Sequence, residues 1–351
     1  MRSPLDWLES LSPWPEEFGL GRMRALLAEL GEPQRAYPAI HVVGTNGKST
    51  ATRRTAAFLA REGSSVGAYT SPHVSGWAER IQVDGEDADL EAALSRVREP
   101  AERLGATQFE VLTAAAFAEF AEAEVDVAVV EAGLGGRLDA TNVLDARIVV
   151  LTNVALDHTD VLGETREQIA AEKLSVVAPG ATLLVGEPEW GGRYAEDVAR
   201  AAAEAFLSRP LEGDVEIALP GRFDLVGDDV FSGAHNPAGI AWLLERLPRR
   251  DYVVLASILA DKDAEAMLRL LARAGRTLIA TSSRSARALD PAELARLAEP
   301  FFERVEAIPE AARAFERARE EGPVLVTGSL YLLADLNVRL LRVPWKSSAS
   351  G

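Results

Sequence analysis

The chain has 351 residues, 48% hydrophobic and 26% charged, with 37 basic against 54 acidic side chains and a net charge of −17. That mixture belongs to a folded protein with room for two domains, and its acidic excess argues against nucleic acid as a partner. Cysteine is absent, which excludes disulfides and thiolate metal sites; no charge-free apolar run reaches about 18 residues, so no membrane span is expected.

The start, MRSPLDWLES, lacks the basic, apolar and small-residue pattern of a signal peptide, so a cytoplasmic protein is expected. From there, apolar β-rich runs alternate with helical periods, predicting parallel sheets with helices on both faces, an α/β fold. Ala39–Val43 reads as a strand entering a glycine loop, residues 49–61 as the helix after it and 65–69 as the next strand. Residues 90–104 and 110–123 read as helices. The run VDVAVV over 125–130 is nearly continuous and apolar, as in a strand buried on both faces. Residues 148–153 and 182–185 repeat that pattern around a helix at 165–177, and EPEWGG (187–192) reads as a loop before an Ala-rich helix ending near Leu207.

Two glycines and Pro220 between 213 and 221 suggest a domain boundary, giving domains 1–216 and 217–345 with a disordered tail at 346–351. The second half alternates again: helix 237–247, strand 252–257, helix 264–274, strand 277–280, helices 291–297 and 310–320, strand 324–327 and helix 330–340.

Chemistry concentrates where strands end. HVVGTNGKST places Gly44, Thr45, Asn46, Gly47, Lys48, Ser49 and Thr50 between a strand and a helix. Backbone N–H groups there, together with the helix dipole, suit a phosphate, with Lys48 reaching its outer oxygens and Ser49 or Thr50 touching a metal. The usual P-loop has a glycine five residues before the one preceding the lysine, and this chain has Val42. Glu131 closes the buried run VDVAVV, at the strand edge where α/β proteins bind ligands, followed by the glycine-rich GLGGR. TNVALDHTDVLG sets Asp157 and His158 at another strand exit, while His41 lies inside a strand and reads as a packed residue. Lys173, on a helix beside Ile169 and Leu174, reads by itself as a surface lysine whose stem covers apolar neighbours. SGAHNPAGI puts His235 and Asn236 at a helix start, suited to a phosphate or ribose.

Taken together, GTNGKST, YTSPHVSGWAERI, FEVLTAAAF, EAGLGGRLDATN, LDHTDVLG, IAAEKL, PGRFDLV, GAHNP, LADKD and TGSLYLLADL occur in the order of one family. The chain resembles folylpolyglutamate synthase/dihydrofolate synthase of the Mur ligase superfamily, over about residues 5 to 340. Mur-type ligases use G-T-N-G-K and dispense with the first glycine, which accounts for Val42. The resemblance implies an N-terminal P-loop ATPase domain, a smaller Rossmann-like C-terminal domain and an active site in the cleft between them. It also implies ATP-dependent joining of L-glutamate to dihydropteroate or reduced folates through an acyl phosphate. By the same resemblance Lys48 supports the β- and γ-phosphates, Ser71, Glu131 and His158 hold Mg²⁺, and Lys173 is a carbamylated lysine. Arg222 and His235 are implied as nucleotide contacts. Phe109, Glu110, Leu138, Asp139 and Ala140 fall on the pterin-binding segments. The expected partners are therefore small molecules (ATP, glutamate, pterin or folate), with no nucleic acid, no membrane and a monomeric state.

Three departures bear on nucleotide selectivity. Ser232 stands where the family commonly has aspartate before GAHNP, no asparagine opens the Ala-rich segment RYAEDVARAAAEAF, and the chain is short between about 187 and 220. They leave two other readings open: a Mur-like ligase on another carboxylate, or a nucleotide-binding relative that has lost ligation.

Overall fold

The computed structural model describes residues 2–15, 17–217 and 219–336. The predicted tail at 346–351 and the end of the predicted helix 330–340 lie outside them. The described chain divides into two compact units, one of residues 2–72 and 77–217, the other of 73–76 and 219–336.

The N-terminal unit is built on eight strands: β1 (Ala39–Val43), β2 (Val66–Tyr69), β3 (Ile81–Val83), β4 (Glu86–Asp87), β5 (Val127–Glu131), β6 (Ala146–Leu151), β7 (Thr182–Val185) and β8 (Arg193–Tyr194). Their order is β4-β3-β2-β5-β1-β6-β7-β8. Pairing is parallel from β2 across to β8, while β3 and β4 run antiparallel at one edge. Period-two alternation sends opposite faces of β5 into separate cores. Val127 and Val129 pack with Phe58 and Leu59 of helix Lys48–Arg61, whereas Ala128 and Val130 pack with Val111, Phe117 and Leu94 of the helices on the other face. With each fully buried Val, Leu or Phe contributing about 1.5–3 kcal/mol, these two layers hold the central strands in register.

The second unit has strands β9 (Asp224–Val226), β10 (Asp229–Phe231), β11 (Val253–Ala256), β12 (Thr277–Ala280), β13 (Arg304–Ala307) and β14 (Val324–Thr327), ordered β13-β12-β11-β14-β10-β9. All its pairings are parallel except the β9–β10 hairpin. Helices Pro237–Arg246, Ala264–Leu271 and Pro291–Ala298 cover one face, and Ala311–Arg319 with Leu330–Asp335 the other. The α/β class expected from the alternation is the one observed.

Several short elements escape the sequence reading. Helices Pro4–Ser10 and Gly21–Glu29 and strands β3, β4, β8, β9, β10 and β13 were not predicted, and part of the expected loop 187–192 is a 3₁₀ turn, Pro188–Trp190. Strands of two to four residues, at or next to the sheet edges, carry too few alternations to stand out. Among the described residues, no helix is long and apolar enough to cross a membrane.

Candidate active site

Four neighbouring parallel strands, β2, β5, β1 and β6, end on the same sheet edge, and each hands a candidate residue to it. β1 runs into Gly44, β5 ends on Glu131, β2 leads to Ser71 and β6 leads into residues 152–158. Sequence distance is large, yet parallel pairing alone gathers these positions.

The phosphate loop is held from outside. Thr45 N–H donates to the Asn153 carbonyl at 3.0 Å, and Asn46 N–H donates to Asn153 Oδ1 at 2.9 Å. The Thr152 hydroxyl donates to the Asn46 carbonyl at 2.7 Å, and Thr45 Oγ1 both donates to the Ala155 carbonyl and accepts from the Ala155 N–H. The first two N–H groups after Gly44 are thus committed to the loop's own scaffold. The helix that follows begins at Lys48 behind Gly47, a left-handed N-cap (φ 79°) without a side-chain cap. Uncapped, its first turn turns N–H dipoles toward an incoming anion. Lys48 folds back over the loop, its Nζ donating to the Thr45 carbonyl at 3.2 Å.

Gly44 is where the loop admits no other residue. Its φ is +150°, and a Cβ there would lie 1.9 Å from Thr152 Oγ1, the hydroxyl that secures Asn46. Gly44→Ala is expected to cost about 1–3 kcal/mol of stability and to abolish nucleotide binding. Thermal unfolding and titration with ADP check both, and unaltered ADP affinity would show that the loop does not cradle phosphate.

Oxygen donors converge beside this loop. The Ser49 hydroxyl donates to Glu131 Oε1 at 3.1 Å and the Ser71 N–H donates to Glu131 Oε2 at 3.1 Å, with Glu131 only 1% exposed. A carboxylate flanked by two serines next to a phosphate loop is the donor chemistry that suits Mg²⁺, which takes few protein oxygens and keeps water and phosphate as its other ligands. Among the described residues, no group of three or more His, Asp or Glu side chains is arranged to hold a metal ion. His158 follows Asp157 at the β6 exit, its backbone left-handed (φ 50°) at the start of helix Thr159–Leu162, with Nε2 4.0 Å from Asp157 Oδ1. Its loop is the one stitched to the phosphate loop through Asn153 and Ala155.

Lys173 departs from its reading as a surface residue. It is 4% exposed, and Nζ donates to the Gly44 carbonyl at 2.9 Å, directly behind the phosphate loop. Close packing makes this possible: helix Arg166–Leu174 lies so near the GLGGR turn that a Cβ on Gly136 would sit 2.8 Å from the Lys173 carbonyl oxygen. Burial pushes the Lys173 ammonium down to about 7, with the positive charge of Lys48 acting the same way, against partial support from Asp157, Asp139 and Glu172. Burial thus favours the free amine over the ammonium here, relative to an exposed lysine.

The residues implied as pterin contacts have clear structural work. Asp139 accepts from the Leu134 N–H at 2.7 Å, from the Thr141 N–H at 3.0 Å and from the Thr141 hydroxyl. It thereby closes the GLGGR–LDATN turn, while burial pushes its carboxyl above the ordinary value. His41 backs the turn from β1: its Nε2 lies 2.8 Å from Thr141 Oγ1, and burial lowers its imidazole to about 4. That fits the packed role expected for it. The half-buried Phe109 ring lies on Gly133, where a Cβ would be 2.5 Å from it, and 6.1 Å from the Tyr69 ring. Leu138 is half-buried and Ala140 buried on the same turn. Glu110 completes a capping box with Thr107, whose N–H and hydroxyl both donate to its Oε2 at 2.8 Å, and it pairs with Arg22 at 2.9 Å. The T-x-x-E spacing at 107–110 carried this cap in the sequence.

In the second unit, Arg222 lies beside Asp224, and His235 Nδ1 is 2.8 Å from the Gly233 carbonyl oxygen. Asn236 caps helix Pro237–Arg246 through the Gly239 N–H. Ser232 is buried at the end of β10, its N–H on the Val326 carbonyl.

Residues 42–185 match the Mur ligase middle domain, and residues 221–330 match the Mur ligase glutamate ligase domain. The folylpolyglutamate synthase of Lacticaseibacillus casei is 33% identical, over 91% of this chain and 94% of its own length. The chain belongs to the folylpolyglutamate synthase/dihydrofolate synthase family of Mur ligases. Among solved structures, Mycobacterium tuberculosis folylpolyglutamate synthase complexed with ADP superimposes with a TM-score of 0.88 at 28% identity, covering 97% of this chain and 99% of that one. A bifunctional folylpolyglutamate synthase/dihydrofolate synthase with Mn, AMPPNP and L-glutamate bound gives 0.80 at 26% identity, covering 94% and 95%. Membership makes this chain an ATP-dependent acid–amino-acid ligase.

The sequence reading missed the tether of the phosphate loop through Thr152, Asn153 and Ala155. The signal was in plain view, since TNVA follows a buried strand just as GTNG does.

Proposed function

We propose that the enzyme joins L-glutamate to dihydropteroate or to reduced folates, and that Lys48, Ser49, Ser71, Glu131, His158 and Lys173 carry the phosphate and metal chemistry. The observation that carries the reading is Glu131: buried at a strand end, with one oxygen on the phosphate-loop serine and the other on Ser71.

A carboxylate and an amine do not condense at neutral pH because oxide is a poor leaving group. In the proposed reaction an acceptor carboxylate oxygen attacks the γ-phosphorus of ATP, and the bond from that phosphorus to the β–γ bridging oxygen breaks, releasing ADP. The glutamate ammonium gives one proton to water, the resulting amine attacks the acyl carbon, and the C–O bond breaks with its electron pair leaving on phosphate, which takes up the second N–H proton. Bound magnesium supplies neutralisation of the triphosphate charge. The protein's part is positional: the uncapped helix start and Lys48 would receive the phosphates, and Ser49, Ser71, Glu131 and His158 would be the side chains offered to the metal. Phe109, Glu110, Leu138, Asp139 and Ala140 are assigned to the pterin side, Asp139 and Glu110 by shaping the turn and helix start. Arg222 and His235 are assigned to nucleotide contact. A cytoplasmic monomer is part of the same proposal.

Product masses separate the acceptors. Incubation with ATP, glutamate and either dihydropteroate or tetrahydrofolate is expected to add one glutamyl residue per ADP formed. ADP release indifferent to both acceptors would reject the substrate class.

A further inference from the structure

Arg53 stands on the phosphate-loop helix, four residues after Ser49, so the two side chains lie on one helical face. Ser49 uses that face to hold Glu131 Oε1. Arg53 uses it to hold the chain that carries Ser71. One of its terminal nitrogens, Nη2, donates to Thr70 Oγ1 at 3.3 Å and to the Glu79 carbonyl. Thr70 directly follows β2 and Glu79 lies just before β3, so the guanidinium grips both feet of the excursion between those strands. The feet are also joined to each other, Thr70 N–H donating to the Arg80 carbonyl at 2.9 Å. Ser71, the next residue out, gives its N–H to Glu131 Oε2.

The cation is built in rather than lying on the surface. Arg53 Nε is screened from solvent and has no hydrogen-bond partner, a cost that a purely decorative arginine would not carry. Burial lowers its guanidinium to about 10, while Glu79, Asp87 and Glu131 support its charge, so it stays cationic at neutral pH. Both contacts come from Nη2, whose position is set by the planar guanidinium packed behind it; the flexible stem of a lysine would not hold an ammonium in that place.

We propose that Arg53 is a positioning residue, clamping both feet of the 70–80 excursion to the phosphate-loop helix and thereby fixing Ser71 against Glu131. The proposal rests on the assignment of Glu131 and Ser71 to the metal. Its consequence is specific: loosening the clamp degrades metal binding in the nucleotide complex while leaving the phosphate loop's grip on nucleotide intact.

The test is a Mn²⁺ titration of the ADP complex, read by the free-ion electron paramagnetic resonance signal, alongside ADP affinity measured without metal. Arg53→Lys and Arg53→Met are expected to weaken Mn²⁺ about tenfold or more and to leave metal-free ADP affinity within about twofold. Thr70→Val removes one tether without removing the buried charge, and a weakening of about threefold is expected even should an Arg53 variant fail to fold. Full Mn²⁺ affinity in Arg53→Lys and Thr70→Val, with Glu131→Gln impaired, would overturn the role of Arg53. Full affinity in Glu131→Gln would overturn the metal assignment itself, and the clamp with it.

Discussion

Replacing Lys48 with alanine is expected to lower the rate of ATP-dependent ligation by about 10²–10³-fold, the loss typical of removing one preorganised charge contact. The side chain contributes little to the fold. It is half-buried, its Nζ makes one hydrogen bond to the Thr45 carbonyl, and the loop has independent ties to Thr152, Asn153 and Ala155. The melting temperature should therefore stay within a few degrees of wild type while turnover collapses. Acceptor-dependent ADP release and a thermal melt on the same preparation check the two halves. A variant retaining more than about a tenth of the wild-type rate would remove Lys48 from the phosphate chemistry. There is a second effect. Lys48 is one of the charges that hold Lys173 down, so its loss should let the Lys173 ammonium climb toward its ordinary value.

Much of this site was legible because its parts sit on local patterns. An apolar run leading into G-x-x-G-K-S gives a strand, a phosphate turn and a helix without reference to anything distant. Glu131 was legible for the same reason, as a carboxylate ending a doubly buried strand. What local pattern cannot give is the partner across the sheet edge. Nothing near Lys173 in IAAEKL indicates that its ammonium reaches Gly44, 129 positions away. Arg53 has the same character: its neighbours on the helix are ordinary, and its meaning lies in Thr70 and Glu79. Local signals mark other elements as well. V-D-G-E at 83–86 is a hairpin signal, and β3 and β4 flank it. T-R-E-Q at 165–168 is a capping box like that at 107–110, and it fixes the start of the helix that delivers Lys173.

Lys173 yields the other large effect, and its sign follows from where its proton resides. The folded ammonium titrates near 7 against an ordinary 10.5. Between those values the unfolded chain holds a proton that the folded chain does not, so this residue's contribution to stability rises with pH across that window. Below about 7 the cost of burying the charge is felt in full. Without CO₂, denaturant midpoints should therefore rise more between pH 7 and 9 in wild type than in Lys173→Met; equal slopes would show that the group is not depressed. The same free amine can add CO₂, forming an N–C bond and releasing one proton to solvent, which replaces a buried neutral amine by a carbamate anion next to the phosphate loop. A carbamate resonance is expected on incubation with ¹³C-bicarbonate, growing as pH passes about 7 and absent from Lys173→Met. Lys173→Ala should lose activity by about two orders of magnitude and recover part of it when short carboxylic acids are supplied. Full activity without them would mean that Lys173 acts only as the prop beneath Gly44, and the chemistry would then rest on Lys48 and Glu131.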